Sequence, residues 1–276
     1  MSLSWRKRVQ ILLGRERVAV GRLPRGYGET PGACHVERCA RAEERGVWHG
    51  AVDALDAALR AFGCRGATAT VILSNAFLRY QVVPWNDQIG GGAERDALVR
   101  HGFKRVFGDA VDGWAIRVSD ERYGAPAVAS AVDRDLLAAV GKAARGHGVR
   151  IASVQPYLMW AFNRWRPIMD TGDFCLALIE NSHVCLALAA GGRWRAVRGA
   201  PMASGDPQGE LGALVERELC LAALDPARVK VCVRAPEHGS FELRGERLPQ
   251  CIVLGESGRA PQAQGGDALF APAGQS

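Results

Sequence analysis

The sequence predicts an α/β protein made of two consecutive halves, each a mixed sheet flanked by helices. Two observations support this prediction. Apolar, β-branched segments alternate with segments of helical periodicity along most of the chain, and the pattern of strands and helices starts again after residues 167–172. The length of 276 residues, of which 48% are hydrophobic and 23% charged, is sufficient for one large domain or two smaller ones.

The first half is predicted to begin with a short helix and then to alternate strands and helices. Gly63 ends a helix whose apolar residues follow helical spacing, and Asp133 is placed to cap another. Residues 32–46 are polar and are predicted to form a loop. The predicted helices are 5–13, 51–62, 94–107, 133–145 and one beginning at 156; the predicted strands are 17–23, 47–49, 68–73, 77–83, 114–119, 127–131 and 149–154.

The second half is predicted to open with a three-stranded meander, because short turns at 180–183 and 191–192 separate three apolar segments. Asp206-Pro207 precedes a helix. From residue 257 onward the chain is rich in Gly, Ala, Gln and Pro, which predicts a disordered tail. The predicted strands are 174–179, 184–189, 193–198, 229–233 and 251–254, and the helix spans 208–223.

The predicted helix at 5–13 is amphipathic and basic. Such a helix binds an anionic membrane surface or a partner protein, or it packs on its own domain, and the residues leave both alternatives open. The apolar positions are Trp5, Val9, Leu12 and Leu13, and the basic positions are Arg6, Lys7 and Arg8.

The net charge of +6 comes from the N-terminal segment. Residues 1–25 contain seven basic residues and one acid, so the remaining chain is electrically balanced. A nucleic-acid-binding protein is expected to carry a basic stripe on its folded body, and the balanced charge argues against such a partner. No apolar run reaches the length of a membrane span, and no signal peptide is recognisable.

The eight cysteines do not predict a disulfide framework, because the chain is long and has no recognisable export signal. Cys34, His35 and Cys39 form the one cluster that resembles metal ligands, and it lacks the second pair that a zinc site needs. No Walker A sequence, Gly-x-Ser-x-Gly elbow or HExxH motif occurs. These motifs therefore predict neither a metal site nor a catalytic residue.

Several segments in the middle of the chain resemble those of small proteobacterial proteins related to PilM. That group includes the MshI-type proteins and the cytoplasmic domain of GspL of type II secretion. The resemblance extends over about residues 15–255 and implies the actin-like ATPase fold, which consists of two RNase H-like half-domains in tandem. The segments that carry it are 69–75, 77–80, 83–85, 129–133 and 153–158.

The resemblance implies a domain organisation with four parts. A basic N-terminal segment at 1–14 precedes a first half-domain with an inserted subdomain at 15–166. A second, reduced half-domain follows at 167–256, and a disordered tail occupies 257–276.

The nucleotide chemistry of this fold depends on two Asp-x-Gly hairpins, whose glycines let backbone N–H groups approach phosphates. By position the first is expected at 19–22, where Gly21 and Arg22 have no preceding Asp. The second is expected at 179–182, where no glycine follows the carboxylate. Its candidate residues are Glu180, Asn181 and Ser182. The adenosine-binding turn is expected at 254–258, with Gly255 and Gly258.

These departures predict a degenerate nucleotide site without efficient ATP hydrolysis and without a required cofactor. The implied function is a cytoplasmic, inner-membrane-associated scaffold of a type IV pilus or type II secretion platform, with a PilN-like or GspM-like partner. Its membrane or partner contact is expected at Trp5, Arg6, Lys7 and Arg8. The alternative is an actin-like switch that binds or slowly hydrolyses ATP with Mg²⁺, using Glu180 in place of the Asp. A nucleic-acid adaptor is the weakest hypothesis.

Overall fold

The computed structural model describes thirteen strands, five α-helices and three short 3₁₀ helices within the described residues. The described residues are 7–23, 33–40, 46–88, 92–120, 122–169, 172–202, 206–236, 241 and 251–255. The helices are α1 (His49–Phe62), α2 (Gly92–Phe107), α3 (Arg134–Gly146), α4 (Tyr157–Met169) and α5 (Pro207–Leu221). The strands are β1 (Arg8–Leu13), β2 (Arg17–Arg22), β3 (Cys34–Arg38), β4 (Thr68–Leu73), β5 (Leu78–Val83), β6 (Trp114–Val118), β7 (Ala127–Asp133), β8 (Arg150–Pro156), β9 (Asp173–Glu180), β10 (His183–Ala190), β11 (Arg193–Pro201), β12 (Val229–Arg234) and β13 (Cys251–Val253).

The described chain divides into two compact units. The first contains the described residues of 1–77 and 135–160, and the second contains those of 78–134 and 161–256.

The first unit is built on a five-stranded mixed sheet with the order β3-β2-β1-β4-β8. β1, β2 and β3 form an antiparallel meander, and β4 and β8 run parallel to β1. Helix α1 packs on β2 and β3 with one apolar face. It ends at Gly63, whose φ of 61° is the left-handed conformation that favours glycine.

The prediction of an amphipathic helix at 5–13 is wrong, because the described part of this segment forms the central strand β1. Val9 to Leu13 are buried between β2 and β4, and Val9 pairs with Arg22 on one side and Ala69 on the other. A short apolar run buried on both faces also satisfies helical spacing, so periodicity alone does not distinguish the two. Trp5 and Arg6 lie outside the described residues.

Two further predictions in the first half are wrong. The segment at 47–49 was predicted as a strand, but α1 begins at His49. The polar segment at 32–46 was predicted as a loop, but Cys34 to Arg38 form the edge strand β3. An edge strand is half-exposed, so its polar residues conceal it from a search for apolar runs.

The second unit contains a five-stranded sheet with the order β11-β10-β9-β12-β13. The predicted meander is confirmed, since β9, β10 and β11 are antiparallel, and β12 and β13 run parallel to β9. Helix α5 covers this sheet with its buried Leu211, Val215 and Leu219. Its N-terminus is capped by Asp206, whose carboxylate accepts a hydrogen bond of 3.1 Å from the Gly209 N–H.

The second unit also contains a three-stranded antiparallel sheet with the order β5-β7-β6. Helix α2 lies on one face of it and buries Val99 and Phe103 against the strands. The edge strand β5 lies beside β11 of the five-stranded sheet. β6 therefore forms the opposite edge of the small sheet.

The two five-stranded sheets have the same topology: three antiparallel strands come first, and two strands parallel to the first are added on its other side. This recurrence confirms the prediction that the architecture starts again in the second half. No α-helix in the described part of the chain combines the length and apolarity that a membrane crossing requires.

Asn75 gives a direct test of how the first unit is held together. Its side chain is buried, and its Oδ1 accepts a hydrogen bond of 3.1 Å from the Leu158 N–H in the first turn of α4. Because that N–H has no partner within the helix, Asn75→Ala is expected to lower the free energy of unfolding by about 1–2 kcal/mol in urea denaturation.

The matched control is Asn86→Ala. Asn86 accepts a local bond from the Gln88 N–H in an exposed loop, so this change is expected to cost less than about 0.5 kcal/mol. Equal effects of the two substitutions would contradict the capping role of Asn75.

Candidate functional site

The first hairpin turn lies at Gly14–Arg17, between β1 and β2. The Gly14 N–H donates a hydrogen bond of 2.9 Å to the Arg17 carbonyl oxygen, which leaves Arg15 and Glu16 exposed at the tip. The turn was expected at 19–22, and this position is wrong: Gly21 and Arg22 lie within β2. The error follows from the missed strand β1, because the sequence pattern made β2 the first strand of the chain.

Position 14 of this turn requires glycine, because the neighbouring backbone leaves no room for a side chain. A Cβ at Gly14 would lie 2.7 Å from the Arg17 carbonyl oxygen, which is closer than real Cβ contacts. The turn is also tied to the chain after β3, since the Cys39 N–H donates a bond of 2.8 Å to the Glu16 carbonyl oxygen. The two residues before Gly14 are the buried Leu12 and Leu13, so this turn has no carboxylate in an Asp-x-Gly register.

The second hairpin turn lies where it was predicted, between β9 and β10. Glu180 ends β9 and pairs with His183, so Asn181 and Ser182 form a two-residue turn. Asn181 has a φ of 41°, a left-handed conformation that Asn adopts more readily than most residues. Asn181 thus takes the conformation for which a glycine is often used, and the turn closes without one.

The third candidate, Gly255, lies directly after β13 in the turn at 254–255 and has a φ of 95°. The Arg234 side chain covers it: a Cβ at Gly255 would lie against Nη1 of Arg234. That Nη1 donates a hydrogen bond of 3.1 Å to the Leu254 carbonyl oxygen. Gly258 lies outside the described residues.

Arg234 was missed from the sequence, although it ends β12, whose buried residues are otherwise apolar. Its exposed fraction is only 8%, and its guanidinium carbon lies 5.5 Å from the centre of the Trp165 ring. Such an approach is a cation–π contact. The glycine of this turn therefore has a packing role, because it leaves room for a buried arginine.

Glu218 on α5 is a second polar residue that sequence reasoning missed. It is the one carboxylate buried in the described part of the chain, with an exposed fraction of 2%. Arg198 approaches one of its oxygens at 3.3 Å and Arg217 the other at 3.0 Å. Because both oxygens are paired with cations, the carboxylate serves as an ionic link between α5 and β11.

The cysteines carry no evidence of a reactive thiolate or a metal centre. Burial raises the pKa of the Cys232 thiol to about 12 and, together with Glu16 and Glu37, that of Cys39 to about 12. Both thiols are therefore protonated at neutral pH. The described residues contain no group of three or more His, Cys, Asp or Glu side chains placed to hold a metal ion.

The basic N-terminal residues that fall within the described range are Lys7 and Arg8. Both side chains are exposed. Their backbone is fixed in the sheet, since the Thr68 N–H donates to the Lys7 carbonyl oxygen and the Leu23 N–H donates to that of Arg8. These two charges therefore lie at the start of the central strand β1 rather than on a helix.

Comparison with solved structures shows the actin-like ATPase fold. The chain is similar to a "PilM-PilN type IV pilus biogenesis complex", with 15% identity over 82% of this chain and 81% of that one and a TM-score of 0.59. It is also similar to the cytoplasmic domain of EpsL, an inner-membrane component of the type II secretion system of Vibrio cholerae. That similarity has 12% identity over 90% of each chain and a TM-score of 0.54.

A third similar structure is a Bacteroides thetaiotaomicron protein with an actin-like ATPase fold and unknown function, with 6% identity over 84% of this chain and 83% of that one and a TM-score of 0.55. No protein family model matches the chain, and no curated protein matches it significantly. The fold prediction is thus confirmed by structural similarity at low sequence identity.

The contact between Arg234 and Gly255 can be tested by a double-mutant cycle. Gly255→Ala is expected to lower the free energy of unfolding by about 1–3 kcal/mol in urea, because the new Cβ meets the guanidinium and the φ disfavours alanine. In an Arg234→Ala background, Gly255→Ala should lower the free energy of unfolding by less, because only the backbone strain at residue 255 remains. An identical cost in both backgrounds would show that the guanidinium does not limit residue 255.

Proposed function

We propose that the protein is a cytoplasmic scaffold of a type IV pilus or type II secretion assembly platform. The observation that carries this proposal is the fold shared with PilM over 82% of the chain and with cytoplasmic EpsL over 90%. The PilM structure is part of a type IV pilus biogenesis complex, and EpsL is an inner-membrane component of a type II secretion system. A scaffold needs the fold for its surfaces and does not need the hydrolytic chemistry.

The geometry of the three turns supports a site that does not hydrolyse ATP. In this fold a carboxylate acts on the metal or the attacking water, and glycines let N–H groups reach phosphate. The turn at Gly14 has the glycine without a carboxylate in the Asp-x-Gly register, and the turn at Glu180 has the carboxylate without the glycine. At Gly255 the buried Arg234 covers the backbone. Each turn therefore lacks one part of the required pair or the space beside it.

The partner that we propose is an inner-membrane assembly protein of the PilN or GspM type. The similar PilM structure was solved as a complex with PilN, which makes a PilN-like protein the first candidate. Attachment to the inner membrane would then come through this partner, with an electrostatic contribution from Arg6, Lys7 and Arg8 and an apolar contribution from Trp5. The charge balance beyond residue 25 gives no support for a nucleic-acid partner.

One observation favours a second candidate function, an ATP-dependent switch. Glu180 lies at the end of β9 beside the turn, at the place where the fold's second carboxylate is expected. A glutamate there has the charge needed to position Mg²⁺.

Nucleotide titration separates the scaffold from the switch. With ATP and Mg²⁺ at millimolar concentration, the scaffold proposal predicts no change in melting temperature and no heat of binding, because a ligand that binds only the folded state would stabilise it. A saturable stabilisation that disappears in Glu180→Gln would contradict the scaffold proposal and support the switch. Asp173→Asn, at the other end of β9, is the matched control.

The attachment proposal is tested by fractionating cells of the source bacterium that produce the tagged chain. The wild-type chain is expected with the membranes, crosslinked to an inner-membrane assembly protein. A variant that combines Trp5→Ala with Arg6→Glu, Lys7→Glu and Arg8→Glu should move a large part of the protein to the soluble fraction. Its melting temperature should not change. The shift is expected because each basic residue near an anionic surface contributes about 1 kcal/mol to binding.

The matched control for that experiment replaces Arg145 and Arg195 by Glu, which changes exposed charge on α3 and β11. A variant that fractionates like the wild type would contradict the N-terminal contact, and recovery of the wild type from the soluble fraction alone would contradict the scaffold proposal.

A further inference from the structure

The three-stranded sheet has a groove along the outer edge of β6, beside helix α2. The groove has a volume of about 500 Å³. One wall is formed by α2 and the other by the β6 segment 115–117. Its apolar floor includes Ala97, Val99 and Ile116. A groove between a helix and an edge strand has the shape that accepts an extended peptide.

The backbone of β6 is available for pairing on this side. Within the described residues, β6 pairs only with β7, while the opposite edge of the small sheet lies beside β11. The Ser119 N–H donates a bond of 2.8 Å to the Val128 carbonyl oxygen. Hydrogen-bonded and non-hydrogen-bonded pairs alternate in an antiparallel ladder, so the backbone groups of Ile116 and Val118 point away from β7, toward the groove edge, where the Ile116 carbonyl oxygen accepts a bond from Arg117.

The groove is strongly basic. Arg100, Arg117 and Arg134 line it, and Asp96 is the one acid among the lining residues. Within the described residues, these guanidinium groups donate to backbone carbonyl oxygens: Arg100 to Val111 at 3.0 Å, Arg117 to Ile116 at 3.3 Å and Arg134 to Asp112 at 2.9 Å. Guanidinium groups bonded only to carbonyl oxygens retain donors and charge for carboxylates.

We propose that this groove binds an acidic, extended segment of a partner protein, which adds to β6 as a fourth strand of the small sheet. The outward N–H groups of Ile116 and Val118 and the carbonyl oxygen of Val118 provide the strand pairing, because the Ile116 carbonyl oxygen already accepts a bond from Arg117. The apolar floor accepts alternate side chains, and the three arginines select carboxylates among the remaining positions. This inference goes beyond the proposed function, since it names a binding surface and a ligand chemistry that hold for any assembly containing the protein.

The test begins with a random heptapeptide library displayed on phage, selected against the whole purified chain. The enriched sequences are expected to be acidic, with apolar residues at alternate positions. A synthetic fluorescent peptide of the leading sequence should bind at least about tenfold more weakly to the double variant Arg100→Glu, Arg117→Glu, because both charges reverse. Its affinity for the wild type should also fall as salt concentration rises.

A proline at position 118 tests strand addition separately from charge. Val118→Pro removes an outward N–H and leaves the β7 ladder intact, so peptide affinity should fall about fivefold or more. The first control, Val118→Ala, also removes the valine side chain but keeps the backbone N–H. The second control, Arg105→Glu, reverses an exposed charge of α2 that does not line the groove. Both controls should bind within about twofold of the wild type.

Enrichment of neutral or basic peptides, or no enrichment at all, would overturn the proposal. So would a leading peptide that binds all four variants equally. Melting temperatures of the variants show whether the small sheet remains folded, and amide chemical shifts of β6 report peptide contact directly. ATP binding or a soluble location would contradict the proposed function and would leave this groove experiment unaffected.

Discussion

The architecture depends on two central strands that are buried on both faces. β1 is buried from Val9 to Leu13, and β9 is buried from Phe174 to Ile179. Each has an antiparallel neighbour on one side and a parallel neighbour on the other, so every other strand of its sheet is added to it. A strand in this position has room for few polar side chains, because both its faces and both its edges are covered, and Gln10 is the one buried polar side chain of β1. Most polar groups of each sheet therefore lie at the strand ends, in the turns and on the outer strands.

This constraint locates the chemistry at the strand ends. The turns at Gly14 and Glu180 follow directly from the two central strands, and both are short. A turn of that length exposes few backbone N–H groups, so its chemistry depends on the side chains beside it. Leu12 and Leu13 precede the first turn, and Glu180 begins the second. Backbone pairing closes both turns: the Gly14 N–H donates to the Arg17 carbonyl oxygen, and Glu180 pairs with His183.

The strands and turns of the second half could be predicted from the sequence, whereas those of the first half could be predicted only in part. In the second half, turn residues such as Asn181 and Gly191-Gly192 separate long apolar strands, and the meander was predicted correctly. In the first half, β1 is so short and so apolar that it satisfied helical spacing, and its loss displaced the first turn. The edge strand β3 was hidden by its polar residues. Arg234 could not be recognised because its partner, the turn at Gly255, follows it after 20 intervening positions of chain.

The groove beside β6 illustrates how an outer strand differs from a central one. An outer strand, unlike a central one, has backbone groups without a partner in its own sheet, and proteins usually protect such edges with charge. Arg117 has this position on β6, and Arg100 and Arg134 reinforce it from α2 and from the end of β7. Three like charges beside an unpaired edge discourage pairing with another copy of the same basic edge. The same charges favour a strand that brings carboxylates, so protection against self-association and selection of an acidic partner have one physical cause.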